Sequence, residues 1–370
     1  MLIVEVNGKR KKIVSKKWLI YGATGYTGRL IVAEAKRLGL TPVLAGRSEE
    51  SIKQLATEFG FESRCFDLSS RQIIAEALSD IDVVLHCAGP FSETARPMIA
   101  ACLHSKTHYL DITGEIEVFE HGQLLDDSAK KAGITVCPGV GFDVVPTDCL
   151  ANALKQKLPD ADTLWLGFSS RSGLSPGTAK TSVEGIAGGG KIRRDGRIMQ
   201  VPLAYKVRNI DFGVGTEKAT TIPWGDVSTA YFTTQIPNID VYIPLPPKKI
   251  KQMQRMDKFR WVFGWRWVMS LMKGQIDKKI KGPSADKLQE QKTYVWGEAM
   301  NPSGDIVTGR IVTANGYQLT MLAAIGIVQH FLANEVTTGY QTPSLIMGAD
   351  FVTTLAGSSE FTFEDSREDS

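Results

Sequence analysis

WLIYGATGYTGRLIVAEAKRL, residues 18–38, decides the fold. An apolar run, Trp18–Tyr21, enters Gly22-Ala23-Thr24-Gly25-Tyr26-Thr27-Gly28, and a helical period follows with Leu30, Ile31, Ala35 and Leu38 on one face. Strand, glycine-rich turn and helix in that order make a dinucleotide-binding turn. Gly22 allows the sharp exit from the strand, Gly25 lets backbone approach a pyrophosphate, and Gly28 lets the helix pack close to the sheet. The helix start offers unpaired N–H groups and a partial positive charge to phosphates. Thr24 and Thr27 add hydroxyls, and Tyr26 stands between them.

The same alternation continues to Pro138. Strands are predicted at 18–22, 42–47, 62–68, 81–87, 107–112 and 134–138, with amphipathic helices at 28–38, 48–59, 69–78, 93–104 and 115–131. This describes an α/β fold: an N-terminal Rossmann domain with a doubly wound parallel sheet, whose ligands sit outside the carboxyl ends of the strands. The second strand ends in Arg47-Ser48, where a site for the unphosphorylated dinucleotide would usually offer an acid. A guanidinium fork suits a 2′-phosphate, and Ser48 serves as helix N-cap and as a further phosphate donor, so NADP(H) is the expected cofactor. Asp67 and Leu68, after the third strand, are placed to meet the adenine. Cys87-Ala88-Gly89-Pro90, after the fourth, lets backbone pass close to the nicotinamide end, or is simply a Gly-Pro turn.

After a linking helix at 146–158 the alternation stops. Strands are predicted at 161–170, 229–236 and 240–244, a hairpin at 291–300 and 305–314 around Asn301-Pro302-Ser303-Gly304, and helices at 317–334 and 347–355. The division is therefore 1–148 for the Rossmann domain, 149–335 for an α+β domain of substrate binding and dimerisation with a largely antiparallel sheet, and 336–370 for a C-terminal helix returning to the first domain. Residues 362–370 read as a frayed acidic tail.

The ordered motifs GATGYTGR (22–29), LAGRS (44–48), CAGPF (87–91), HYLDITGE (108–115), PGVGFDVVPTD (138–148), SPGTAKTS (175–182), GPSADKL (282–288) and GYQTPSLIMGAD (339–350) resemble the saccharopine dehydrogenase-like family of NADP-binding oxidoreductases. Within it the chain looks most similar to the branch of trans-acting enoyl reductases and saccharopine dehydrogenase-like oxidoreductases. The resemblance implies a Rossmann domain followed by a mixed substrate domain, and reduction of a C=N, C=O or C=C bond.

Hydride transfer asks the protein for orientation, exclusion of water and one proton-transfer group. Tyr109 and Asp111, at a strand end, are candidates, though they read more readily as a buried tyrosine and a helix N-terminal acid. Asp143 lies in the loop after the sixth strand, beside the nicotinamide end or as a loop cap. Lys180 could donate to a carbonyl or carboxylate from the second domain, or be a solvated lysine. His86 reads as a satisfied core residue. Saccharopine would call for clustered arginines. Arg171, Arg193, Arg194 and Arg197 are present, but three of them lie in IAGGGKIRRDGR (186–197), read as a surface loop or hairpin, which argues against that substrate.

The +3 charge, from 43 basic and 40 acidic residues, is too small and too mixed for a nucleic-acid partner. A small, hydrophobic, acyl- or isoprenoid-like molecule is expected instead. Five cysteines at 65, 87, 102, 137 and 149 make no CxxC pair and no metal pattern, so a reducing, cytoplasmic setting and no metal are expected. MLIVEVNGKRKKIVSKKW reverses the order of a secretory signal. The apolar stretches at 261–272, broken by Arg266, and at 317–333, with Gln318, Gln329 and His330, fall short of the ~20 apolar residues that span a bilayer. The stripe in Lys248–Lys281, with its Trp-rich part at 259–272, reads as core or homodimer contact, as the wall of a hydrophobic pocket, or as a peripheral membrane contact. An NADP(H)-binding sensor without turnover and a membrane-surface scaffold stand as alternatives to an enzyme.

Overall fold

In the computed structural model the described residues are 16–170, 188–259 and 291–367, preceded by the backbone of two short strands. Those strands, β1 (Leu2–Val6) and β2 (Lys9–Ile13), pair antiparallel. Lys180, Arg171 and the Trp-rich stretch beyond Phe259 lie outside the described residues.

The Rossmann strands follow: β3 (Trp18–Tyr21), β4 (Val43–Gly46), β5 (Ser63–Cys65), β6 (Val83–His86), β7 (His108–Asp111) and β8 (Thr135–Cys137). Between them run α1 (Tyr26–Arg37), α2 (Glu49–Phe59), α3 (Arg71–Ala77), α4 (Phe91–Ser105), α5 (Ile116–Leu124) and α6 (Asp126–Ala132). The predicted helix at 115–131 is thus two helices, broken at Leu125. Every residue of β3, β4 and β6 is buried, as expected where helices cover both faces of a parallel sheet. Ser48 caps α2, its side chain accepting from Ser51 N–H, and Gly60 ends that helix with φ +71°. The spatial order β5-β4-β3-β6-β7-β8 is all parallel and reverses between β3 and β6, which opens the ligand crevice there.

The chain leaves this sheet through α7 (Val145–Lys157), which is buried from Val145 to Ala151 and at Ala153 and Leu154, and builds a second one. Its strands are β9 (Thr163–Ser170), β10 (Gly190–Arg194), β11 (Arg197–Val201), β12 (Val207–Asp211), β13 (Thr216–Thr221), β14 (Asn238–Pro244), β15 (Lys292–Met300) and β16 (Ile306–Ala314). All described pairings are antiparallel except β9 with β14. Helices α8 (Asp226–Thr234) and α9 (Pro247–Asp257) interrupt it, and α10 (Gly316–Ala333) follows. The chain then returns twice: β17 (Gly339–Tyr340) extends the first sheet beside β8, and β18 (Thr362–Asp365) pairs with β16 in the second. Between these, α11 (Pro343–Met347) and a 3-10 turn (Ala349–Thr354) pack on α7.

Three expectations are corrected. Residues 229–236, predicted as a strand, form most of α8. Their β-branched side chains are accommodated because Thr229 and Thr234 bond back to the helix and Thr233 Oγ1 reaches Asp148 Oδ1, so tertiary partners override local preference. The tail at 362–365 is a paired edge strand, with Phe363 packed over Gly309, and is not frayed. The stretch read as a surface loop or hairpin is a hairpin, β10–β11, but Arg193 in it is buried and not at the surface: its guanidinium donates to Val227 O and Gly196 O, meets Glu120, and stacks on Tyr231 at 4.1 Å.

One core joins both sheets. Trp18, Ile20, Leu44 and Leu85 on one face of the first sheet are continuous with Leu164, Leu166, Val295 and Ile311 of the second, through Leu150 and Leu154 of α7 and Val328 and Phe331 of α10. Among the described residues, α10 alone is long and apolar enough to cross a bilayer by length and composition; here Leu319, Ala323, Ala324 and Ile327 are buried in this core. Gly297 and Gly309 let α7 lie close on the second sheet: a Cβ at either would come within 2.8 Å of Leu154 or Leu150. Leu150→Ala should lower unfolding free energy by about 3 kcal/mol, read as a fall in the urea midpoint. A loss below 1 kcal/mol, on the order of a surface substitution, would remove α7 from its place at the centre.

Candidate functional site

Gly22 leaves β3 with φ +83°, and its N–H and that of Ala23 point to Ala45 O at 2.8 and 3.3 Å. A Cβ here would lie 2.8 Å from Ala88, so the ends of β3 and β6 meet only because residue 22 has no side chain. Gly25 is the N-cap of α1 and supplies no side-chain cap, and the first turn holds no acid. Its N–H groups are therefore open to an anion. At Gly28 a Cβ would sit 2.4 Å from Gly22 O. Thr24 and Gly25 are exposed and Thr27 half-buried along this turn. Tyr26 stands edge-on to Tyr317 at the start of α10, ring centroids 5.1 Å apart.

Arg47 follows β4, exposed, its guanidinium without hydrogen bond or ion pair to any described residue. Its charge opposes the burial that pushes the neighbouring Tyr21 phenol up to about 12. Asp67 is placed nearby, but its carboxylate is taken by Ser69 N–H and Oγ at 2.9 and 2.5 Å, an Asx turn that holds it below the usual carboxylate range. Leu68 packs against the core beneath. The structure thus brings residues 22–28, 47–48, 67–68 and 87–90 to four adjacent strand ends. An uncapped helix start, a side-chain-free cradle and a free guanidinium together fit the phosphates of NADP(H).

The loop after β6 is held from three sides. His86 Nε2 lies 3.0 Å from Ala88 O, Thr94 Oγ1 donates to Ala88 O at 2.7 Å, and Glu115 accepts Phe91 N–H at 2.9 Å and Ser92 N–H at 2.7 Å. His86 is only half satisfied, since its Nδ1 is buried without a partner; burial lowers its pKa to about 4 and keeps it neutral.

Tyr109 and Asp111 are both fully buried, and the phenol donates to Asp111 Oδ2 at 2.6 Å. Asp111 Oδ1 accepts Thr113 N–H and Gly139 N–H at 2.9 Å each, and burial pushes its pKa up to about 7. The pair ties β7 to the loop after β8 and has no path to a ligand in this conformation.

Asp143 differs. It is half-buried, its carboxyl has no hydrogen-bond partner among the described residues, and it packs on Gly114, whose missing Cβ would lie 2.7 Å from Asp143 Oδ2. Burial first, and Glu115 second, push its pKa up to about 7. Trp224 Nε1 donates to Asp143 O at 3.0 Å. Trp224 packs on Phe168 at 4.9 Å, and Phe168 on Phe142 at 5.4 Å, so three aromatic rings meet next to the loop that carries Asp143. No group of three or more His, Cys, Asp or Glu side chains among the described residues is placed to hold a metal.

Residues 18–137 match the saccharopine dehydrogenase NADP binding domain. They belong to that domain family. NADP(H), expected from the arginine at the β4 tip, is the cofactor of this domain. The chain is similar to the trans-acting enoyl reductase of Mycobacterium tuberculosis (strain ATCC 25618 / H37Rv), 30% identical over 169 residues, and to the saccharopine dehydrogenase-like oxidoreductase of Homo sapiens, 26% identical over 204 residues. These matches cover 41% and 48% of the chain, and it spans only 40% and 47% of those proteins' lengths. The apo saccharopine dehydrogenase (L-Glu forming) of Saccharomyces cerevisiae shares the fold, with TM-score 0.62 and 11% identity over 94% of this chain and all of that one.

Glu115, Tyr317, Phe142, Phe168 and Trp224 were not singled out by sequence reasoning. Glu115 stands inside a motif quoted for its tyrosine and aspartate. The aromatic residues are far apart in sequence, so only the fold reveals that they meet. Arg47→Ala should raise the Kd for NADPH about tenfold, near 1.4 kcal/mol, and leave that for NADH unchanged. Fluorescence titration reads both, and an equal effect on the two cofactors would remove Arg47 from the 2′-phosphate.

Proposed function

We propose that the chain is an NADP(H)-dependent oxidoreductase that reduces a C=C, C=O or C=N bond of a hydrophobic substrate, with Asp143 as its proton donor. The observation that carries this reading is the Asp143 carboxyl: half-buried, beside a cluster of aromatic rings, without a hydrogen-bond partner among the described residues, and pushed up by burial to about 7. The domain match and the similarity to named oxidoreductases support the redox class. The aromatic cluster of Phe142, Phe168 and Trp224 beside that loop supports an apolar substrate.

Bound NADPH supplies a hydride. The turn at residues 22–28 holds the pyrophosphate by backbone amides, and Arg47 selects the phosphorylated adenosine. The loop 87–90, clamped by Thr94 and Glu115, presents small residues and bare backbone to the nicotinamide end. Phe142, Phe168 and Trp224 exclude water and hold the apolar part of the substrate. As hydride reaches one atom of the double bond, Asp143 delivers its proton to the other and is left as carboxylate, to be recharged from solvent. A carboxyl near neutrality suits this task, because it holds its proton at working pH and still gives it up.

For an acid whose protonated form is active, turnover is full below its pKa and falls as pH rises through about 7. Asp143→Asn should retain NADPH affinity within about twofold and lose on the order of 10²–10⁴ in turnover. The measurement is NADPH oxidation against a panel of enoyl thioesters, ketones and imines. Turnover by Asp143→Asn at the wild-type rate, or binding of NADPH without oxidation by any of the panel, would overturn the reading.

A further inference from the structure

We propose that the outer face of α9 is a docking surface for anionic phospholipid, holding the protein at a membrane by its lysine and arginine side chains, with Phe259 entering the headgroup layer. The proposal goes beyond the reading of Asp143 and does not depend on it.

α9 and the turn after it, residues 247–259, carry Lys248, Lys249, Lys251, Arg255 and Lys258 against one acid, Asp257. That local excess is larger than the surplus of +3 on the whole chain. All five cations are exposed, and none has an ion pair or side-chain hydrogen bond to a described residue. Other helices pair theirs one turn away: Arg37 with Glu34 in α1, Lys53 with Glu49 in α2, and Lys130 with Asp126 in α6. The placement also opposes the field of the helix itself. Lys248 and Lys249 occupy the first turn, which holds no acid and where the partial positive charge of the N-terminus repels cations. No described side chain offsets that cost, and an external anionic surface does.

The apolar residues select lipid among anionic surfaces. Ile250 is buried and Met253 and Met256 are half-buried, so one side of α9 packs on the protein and the other faces out. Lys248, Lys251 and Arg255 recur on the outward side at helical spacing. Phe259 extends that row, its N–H bonded to Met256 O at 2.9 Å and its side chain 63% exposed. Tyr205, 48% exposed, lies alongside, because the loop before it is tied to α9. There Leu203 N–H donates to Asp257 Oδ1 at 2.9 Å, and Gln254 Nε2 to Ala204 O at 3.2 Å. Cations beside two exposed aromatic rings on a surface helix suit an anionic bilayer, which takes charge at its phosphates and aromatic side chains at the acyl boundary. A single-stranded nucleic acid tracks a groove, and α9 is an outward-facing helix. An apolar substrate of the kind proposed above dissolves in the same bilayer.

The test is flotation of the full chain with vesicles of phosphatidylcholine alone and of phosphatidylcholine mixed with phosphatidylglycerol. It needs neither substrate nor turnover, so it is separable from the test of function. The protein should float with the mixed vesicles and not with the neutral ones. Added salt should weaken binding, since exposed charges are screened within about 3 Å at about 1 M. Lys248→Gln, Lys249→Gln and Lys251→Gln together should lower the partition coefficient about a hundredfold. Phe259→Ser should lower it about tenfold and keep the salt dependence. Both variants should bind NADPH as wild type does, which shows that they fold. Equal flotation on the two kinds of vesicle, none on the mixed ones, or wild-type partition by the triple variant would overturn the proposal. A salt-sensitive complex with a single-stranded oligonucleotide in place of vesicle binding would do the same. Should the triple variant lose NADPH binding, Phe259→Ser decides, and an unchanged partition coefficient overturns the proposal.

Discussion

The close approach of two strand ends at the switch point governs the rest. Gly22 and Ala88 come so near that a single added carbon at residue 22 would overlap the neighbouring backbone. That contact brings the turn between β3 and α1 level with the loop after β6, so phosphates and nicotinamide can lie across one continuous floor of backbone. The loop after β6 then needs external support, since small residues supply none. Thr94, His86 and Glu115 provide it by hydrogen bonds, each from a different element. Floor and support are therefore divided: small residues and bare backbone line the crevice, and polar side chains hold that backbone from behind.

The acids at this end of the sheet show how hydrogen-bond partners and exposure distinguish buried residues of one type. Asp111 accepts three hydrogen bonds and fastens β7 to the loop after β8. Asp148 joins α7, α8 and α11 by accepting from Thr233 and from Ser344 N–H. Asp143 has room, partial exposure and no fastening role. Removing solvent raises the proton affinity of all three, and only the last keeps partial exposure.

The first half of the fold was legible because its signals are local. Each strand, turn and cap between Trp18 and Pro138 is announced by a few neighbouring residues, and Gly22, Gly25, Gly28 and Arg47 have meaning through their spacing. The second half was read less well, since tertiary contacts decide it. Residues 229–234 carry strand-forming side chains yet form a helix, because partners in α7 and in the helix's own backbone satisfy their hydroxyls. Arg193 sits among glycines and charges that read as surface, but Tyr231, Val227 and Gly196 surround it from more distant parts of the chain. The surroundings of Asp143 were half visible. Asp143 could be named from its loop, whereas Glu115, Phe168 and Trp224 acquire roles only when three strand ends and a helix start are brought together.

The core running unbroken from the first sheet through α7 and α10 to the second has an evolutionary consequence. A family that varies its substrates cannot exchange the second half as an independent cassette, because the apolar faces of the shared helices are matched to both sheets at once. New specificity has to arise in the loops at the carboxyl ends of the strands, where side chains can change without disturbing the fit of helix to sheet.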